Sequence, residues 1–338
     1  MPSKQLATIA LALLLANPVT TTAMSRPVEP PIAVSASAVR TDPLPPASID
    51  IGAVTVTTDI AYSTLSGYRP MLLDLYRPKG NGQHPLVIYV HGGSWTNGSK
   101  RTTGHFTDFP DVLARLAERG FVVASVDYRL SSEASFPAAV QDIKAAVRFL
   151  RANAGKYGID PDHVGIWGAS AGAHLAALTA FTVEDFDFDP PGMENAGESD
   201  RVQAFVGWYG PYELRALFRQ ASTPGNGVDP SGPMRFFGCT PEGCPPGVFT
   251  KASPISHVDA GDPPTLLIHG TDDTTVPAEQ SRQLDAKLNA AGVDAKLVLI
   301  DGVSHDWSGK NQGATATASR KAIGTTFDWL EKQLLRGR

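Results

Sequence analysis

Gly168-Ala169-Ser170-Ala171-Gly172 lies between two segments of opposite character. His163-Val164-Gly165-Ile166-Trp167 runs into it as an apolar stretch that reads as a buried strand. Ala173-His174-Leu175-Ala176-Ala177-Leu178 leaves it as a helix. A G-x-S-x-G run on a strand-to-helix turn is the pattern of a nucleophile elbow. The turn forces the serine into strained backbone angles, so its neighbours must be small enough for strand and helix to approach each other. Ser170 Oγ would then stand at the strand's end, facing a cleft. Without the flanking strand and helix, the same five residues would be an ordinary small-residue turn.

Working outward, strands and helices alternate. Val54 to Thr58 and Met71 to Tyr76 read as opening strands. Leu86 to Val90 and Phe121 to Val126 read as strands buried on both faces, and Val202 to Trp208, Thr265 to His269 and Ala295 to Ile300 as further strands. Helical periodicity marks Asp108 to Arg119, Phe136 to Lys156, Ala278 to Ala291 and Ser319 to Leu335. The expected fold class is α/β, a mostly parallel twisted sheet with helices on both faces. Two stretches, 183–201 and 211–256, break the alternation. Both follow strands on the carboxyl side of the sheet, where such folds bind ligands, and are expected to shape a substrate pocket.

A serine hydroxyl needs a base within hydrogen-bond reach, and the base needs an acid to orient it. In chain order the acid comes first and the histidine second. Ile268-His269-Gly270-Thr271-Asp272-Asp273 runs from a strand into a polar loop, and Gly302-Val303-Ser304-His305-Asp306 follows the next strand. His305 is the expected base. Spacing alone leaves Asp272 and Asp273 equivalent. His269 and His174 read as packed structural histidines. An oxyanion needs backbone N–H donors, and Val90-His91-Gly92-Gly93-Ser94-Trp95 offers them after a strand. Gly93 and Ala171 are the leading candidates, with Gly92 and Ser94 as further members. Trp95, Trp208 and Tyr209 lie near strand ends and are candidates to line a substrate pocket.

Taken together, these segments resemble the α/β-hydrolase superfamily. They look most like its HGG-type carboxylesterases of the bifunctional feruloyl and acetyl-xylan esterase kind. The likeness covers about 54–335. It rests on His91-Gly92-Gly93-Ser94-Trp95, Asp127-Tyr128-Arg129-Leu130, Tyr157-Gly158-Ile159-Asp160-Pro161, the elbow itself and Pro263-Pro264-Thr265-Leu266-Leu267-Ile268-His269-Gly270. The resemblance implies an α/β-hydrolase fold with a small insertion over the active site. It places the acid four residues after His269, on Asp273, and makes Asp127 and Arg129 structural. It further implies a serine carboxylesterase acting through an acyl-enzyme on short-chain, aryl or acetyl esters. Two glycines after His91, where lipase-like relatives carry three, favour the feruloyl and acetyl-xylan branch. A formamidase or amidase, a serine peptidase and a catalytically silent binding module share the scaffold and are the rival readings.

The remaining features set bounds. The chain has 338 residues, 42% hydrophobic and 19% charged, with a formal net charge of −5 and no basic block; nucleic acid is not an expected partner. A small-molecule or polymer-linked ester is the expected partner, with no metal or organic cofactor. Lys4, the apolar run Leu6 to Ala16 and Thr21-Thr22-Ala23 form a signal-peptide pattern over residues 1–23, with no sign of a membrane anchor. Residues 24–48, rich in Pro, Ala and Ser, are expected to be a flexible tether to a catalytic domain over 49–338. The location that follows is periplasmic or extracellular. There, Cys239 and Cys244 are expected to form a disulfide, since two cysteines alone make no zinc site.

Overall fold

A computed structural model of the chain describes residues 46–335, apart from 186, 189–192, 222–230 and 241. The signal-peptide reading and most of the tether lie outside the described residues. Strand β1 (Ala47–Ile51) already begins inside the stretch expected to be tether, paired antiparallel with β2 (Val54–Ser63). Strands β3 (Met71–Pro78), β4 (His84–Val90), β5 (Val122–Val126), β6 (Ile159–Ala169), β7 (Ala204–Trp208), β8 (Thr265–Gly270) and β9 (Ala295–Ile300) complete one sheet. Its order is β1-β2-β3-β5-β4-β6-β7-β8-β9. Pairing is antiparallel from β1 to β5 and parallel from β5 through β9. This is the α/β-hydrolase fold.

Residue alternation along the strands builds two cores. On β4, Leu86, Ile88 and Val90 face one layer while Val87 and Tyr89 face the other. The first layer takes in helices α2 (Ala138–Ala152), α4 (Ala171–Phe181) and α8 (Glu279–Ala291). The second takes α1 (Phe109–Glu118) and α9 (Gln312–Leu334). The helix expected over Phe136–Lys156 is broken: Asn153 Nδ2 donates to Phe149 O and ends α2, and a single turn, α3 (Ala154–Tyr157), follows. Helix α9 begins at Gln312 rather than Ser319, because Asn311 Oδ1 accepts the Ala314 N–H and caps it there.

The two breaks in the alternation are more ordered than expected. Residues 211–256 hold three short helices, α5 (Leu214–Ala221), α6 (Ser231–Phe237) and α7 (Val248–Ala252). Cys239 and Cys244, just after α6, form a disulfide with Cα atoms 5.2 Å apart. In the 183–201 stretch, Asp200 is fully buried and pairs with Lys144 and Arg148 of α2, which ties the segment to the first layer.

The elbow is closely packed. A Cβ on Gly168 would lie 2.3 Å from Gly172 O, and one on Gly172 would lie 2.1 Å from Val90 O and 2.4 Å from His91 O. Backbone atoms cannot yield to that overlap. We expect Gly172→Ala to cost about 1–3 kcal/mol or more by overpacking, read as a lower Tm in thermal unfolding. Gly324, inside α9 with nothing near its missing Cβ, is the control. Gly324→Ala should raise stability by roughly 0.5–1 kcal/mol. Equal Tm for wild type and Gly172→Ala would contradict the packing argument.

Candidate active site

Strand β6 ends at Ala169 and α4 begins at Ala171, leaving Ser170 alone at the turn with φ 54° and ψ −122°. A side chain rarely adopts such angles, and here the surrounding bonds enforce them. Ser170 N donates to Trp208 O on the neighbouring strand at 2.9 Å, and Ser170 O accepts from His174 N.

The next two loops of the sheet bring their residues to the same point. His305, beyond β9, places Nε2 3.0 Å from Ser170 Oγ and Nδ1 2.6 Å from Asp273 Oδ2. Asp273, beyond β8, has a fully buried side chain, and its Oδ1 accepts the N–H groups of Thr275 and Val276 at 2.9 Å each. With its carboxylate so fixed, the His305 Nδ1–H donates to Asp273 and leaves Nε2 free to accept from the serine. Asp272 is exposed and accepts only a bond from Thr271 Oγ1. Of the adjacent pair, Asp273 is the one whose carboxylate meets His305.

A second histidine also reaches the acid. His269 Nε2 lies 3.3 Å from Asp273 Oδ2 and 2.8 Å from Val276 O, while its Nδ1 lies 2.7 Å from Ser281 Oγ. Burial by itself would raise the Asp273 pKa. Hydrogen bonds from His269 and His305 outweigh it and hold the carboxyl at about 2. For His305, burial favours the neutral ring, yet the bond to Asp273, its charge and then the charge of Asp306 lift the imidazole above its usual range. The sign follows. His305 adds stability at pH below its unfolded value, fading as pH rises through the raised folded value. Asp273 adds stability that is lost as pH falls toward about 2.

Opposite Ser170, the loop after β4 closes in. A Cβ on Gly92 would lie 2.8 Å from Ala169 O and 3.2 Å from Ser170 Cβ, so this backbone packs directly on the elbow. Gly93 has φ 112°, and its carbonyl accepts from Thr96 N and Asn97 N. Among the described residues, the N–H groups of Gly93, Ser94 and Ala171 have no hydrogen-bond acceptor in the protein. Ala171 opens α4, where orphan donors and the helix dipole both favour negative charge. Asp127 anchors the loop from behind: its carboxylate accepts the Lys100 N–H at 2.8 Å and Lys100 Nζ at 2.9 Å. Tyr128 Oη donates to His91 O. Arg129 pairs instead with buried Asp142.

These groups surround a cavity of about 580 Å³. Its described lining carries seven hydroxyl side chains, one amide, two histidines, one carboxylate, four glycines and a single alanine, Ala169. The aromatic candidates fare differently from expectation. Trp95 is buried, stacks on Phe236 at 4.8 Å and donates Nε1–H to His174 Nδ1. Trp208 is fully buried and donates to Thr326 Oγ1 at 2.9 Å. Both belong to the core and neither lines the cavity. Tyr209 is also buried, its ring 4.6 Å from that of His305, a support beneath the histidine rather than a pocket wall. His174 is fully buried, with Nε2 donating to Ala252 O, and desolvation brings its pKa down to about 4.

Parts of both insertions, at 186, 189–192, 222–230 and 241, lie outside the described residues. Among the described residues, neither 183–201 nor 211–256 contributes to the lining. Helix α6 acts from one step behind: a Cβ on Gly232 would stand 3.0 Å from Ser94 Cβ. The walls come instead from the loop at 92–105 and the turn at 304–308. Sequence reading missed Thr102, Thr103, His105, Ser304, Asp306 and Ser308, which carry no motif. The one available signal was their position in loops at the carboxyl ends of β4 and β9.

The model of the BD-FAE family matches residues 73–288. Esterase LipQ of Mycobacterium tuberculosis is 36% identical over 239 residues, 70% of this chain and 53% of that protein. Isoprenylcysteine alpha-carbonyl methylesterase ICME of Arabidopsis thaliana is 30% identical over 240 residues, covering 69% and 53%. The chain spans about half the length of the curated relatives it matches. Among solved structures, a truncated carbohydrate esterase from gut microbiota superposes with a TM-score of 0.68 at 28% identity, covering 82% of this chain and 95% of that one. A thermophilic esterase of Thermogutta terrifontis gives 0.64 at 26%, covering 81% and 91%.

The electrostatics make a direct prediction. In wild type the His305 ring should titrate above the usual histidine range, and Asp273→Asn should bring it down, because the buried counter-charge is gone. Histidine-resolved NMR across pH reads both values. An unchanged His305 titration in Asp273→Asn would contradict the pairing.

Proposed function

Given that this chain belongs to the BD-FAE family of α/β-hydrolase esterases, we propose that it is a serine carboxylesterase, with Ser170, His305 and Asp273 as its triad. The observation that carries this reading is the unbroken relay Asp273–His305–Ser170 opening into a polar cavity. Ser170 Oγ attacks the ester carbonyl while His305 Nε2 takes its proton. Asp273 holds the ring's tautomer and stabilises the imidazolium. The developing oxyanion rests on the N–H groups of Ala171 and of Gly93 and Ser94. His305 then hands the proton to the leaving alcohol, and a water admitted along the same path clears the acyl-enzyme. Every step uses the chain's own residues.

Cavity chemistry supports a narrower substrate class. The described lining is mostly hydroxyl, histidine, amide, carboxylate and backbone, with Ala169 as its one aliphatic side chain, so it offers a long acyl chain little apolar surface, at roughly 0.8 kcal/mol for each CH₂ left in water. Short acyl groups on polar alcohols fit best, acetyl esters foremost, whether free or carried on a polymer. The Cys239–Cys244 disulfide supports an oxidising location and therefore export.

A p-nitrophenyl ester series from acetate to palmitate tests the reading. Wild type should prefer the shortest acyl groups, and Ser170→Ala should lose about 10³-fold or more in kcat/KM. Activity that survives in Ser170→Ala would overturn the nucleophile, and a palmitate preference would overturn the substrate class.

A further inference from the structure

Three consecutive residues beyond β9 point to three different places. His305 meets Ser170. Asp306 and Trp307 both have left-handed backbone, with φ 56° and 65°. Those angles turn Trp307 into the core, fully buried against Trp208 at 5.2 Å and Tyr209 at 4.7 Å. Asp306, half-buried, is left lining the catalytic cavity. Room for its carboxylate comes from Gly104 packed against it, where a Cβ would lie 2.7 Å from Asp306 Oδ1. The carboxylate's field is felt by groups around it: it helps raise both His305 and, behind the larger effect of burial, the Tyr209 hydroxyl.

Two facts give this charge a consequence. Asp306 is the one carboxylate among the described lining residues, and none of them is lysine or arginine. No described lysine or arginine pairs with it elsewhere. The leaving oxygen must come within reach of His305 Nε2 to collect its proton, so the alcohol half of an ester extends past His305. Asp306, the next residue in the chain, lines the same cavity as His305, together with Gly104 and His105.

We propose that Asp306 is a specificity-determining residue of the alcohol subsite, selecting esters of positively charged alcohols over neutral ones and rejecting anionic ones. The proposal rests on the esterase reading above. An opposite charge in a partly solvated cavity attracts a cationic head and repels an anionic one, and both effects fall with salt.

Three acetate esters with similar tetrahedral heads test it: acetylcholine, 3,3-dimethylbutyl acetate and 2-acetoxyethanesulfonate. In wild type at low salt, kcat/KM should fall in that order by roughly fivefold per step, the scale of one partly exposed charge pair. Asparagine tolerates left-handed backbone as aspartate does, so Asp306→Asn keeps the turn while removing the charge. Its spread across the three esters should collapse toward the neutral value. Wild type alone gives a second readout: raising salt to about 1 M, where screening acts over about 3 Å, should narrow the same spread. A carboxylate that acted only on His305 would move all three esters together and leave their ratios intact, and that outcome overturns the proposal. Hydrolysis of all three at equal rates in wild type also overturns it, leaving the esterase reading standing. If no ester is hydrolysed, both fall.

Discussion

The molecule depends on one close approach. At the elbow, α4 is pressed against the ends of β4 and β6 so tightly that neither Gly168 nor Gly172 has space for a methyl group. That contact holds Ser170 at φ 54°, far from the angles an isolated serine prefers. The cost is met by the sheet around it, where strands buried on both faces leave no direction for the turn to relax. The same approach sets α4's N-terminus beside the Gly92-Gly93 loop, so unpaired donors from two elements lie next to the hydroxyl. In the proposed mechanism these donors are fixed before any substrate arrives, which is what would give them an effect on developing charge.

Electrostatics is arranged around one buried carboxylate. Asp273 receives two backbone N–H groups and lies within reach of two histidines. It stays ionised because these contacts outweigh its burial. His269 is held between Ser281 and Val276 and fixes the acid from below. His305 is held between the acid, the serine and the Tyr209 ring, which sits beneath it. Lys100 and Asp127 play a comparable part on the other side, anchoring the loop that faces Ser170. The site is thus rigid on both flanks, while its cavity remains open and polar.

Much of this was legible in the sequence. Continuous apolar runs announced the central strands, and glycine and proline marked their ends. The elbow declared itself by its strand-turn-helix context, and the order of acid and histidine followed from the fold class. The choice between Asp272 and Asp273 came from family likeness, since adjacent residues in a loop carry no periodicity. Trp95 and Trp208 were misplaced because an aromatic at a strand end points to either face with equal ease, and here hydrogen bonds to His174 and Thr326 draw both inward. The insertions were expected to form the pocket wall; among their described residues, Phe236, Phe237 and Phe249 pack into the first core. Asp306 was marked only by its loop position beside His305, because its placement depends on a left-handed backbone that no short pattern encodes.

The central claim is that Ser170 is the nucleophile made reactive by His305 and Asp273. The most direct measurement is covalent: treat the protein with diethyl p-nitrophenyl phosphate, then determine intact mass and map the modified peptide. One diethylphosphoryl group per chain is expected, attached to Ser170, with ester hydrolysis lost in proportion to labelling. A label on another residue, or a protein that stays unlabelled while hydrolysing esters, would contradict it.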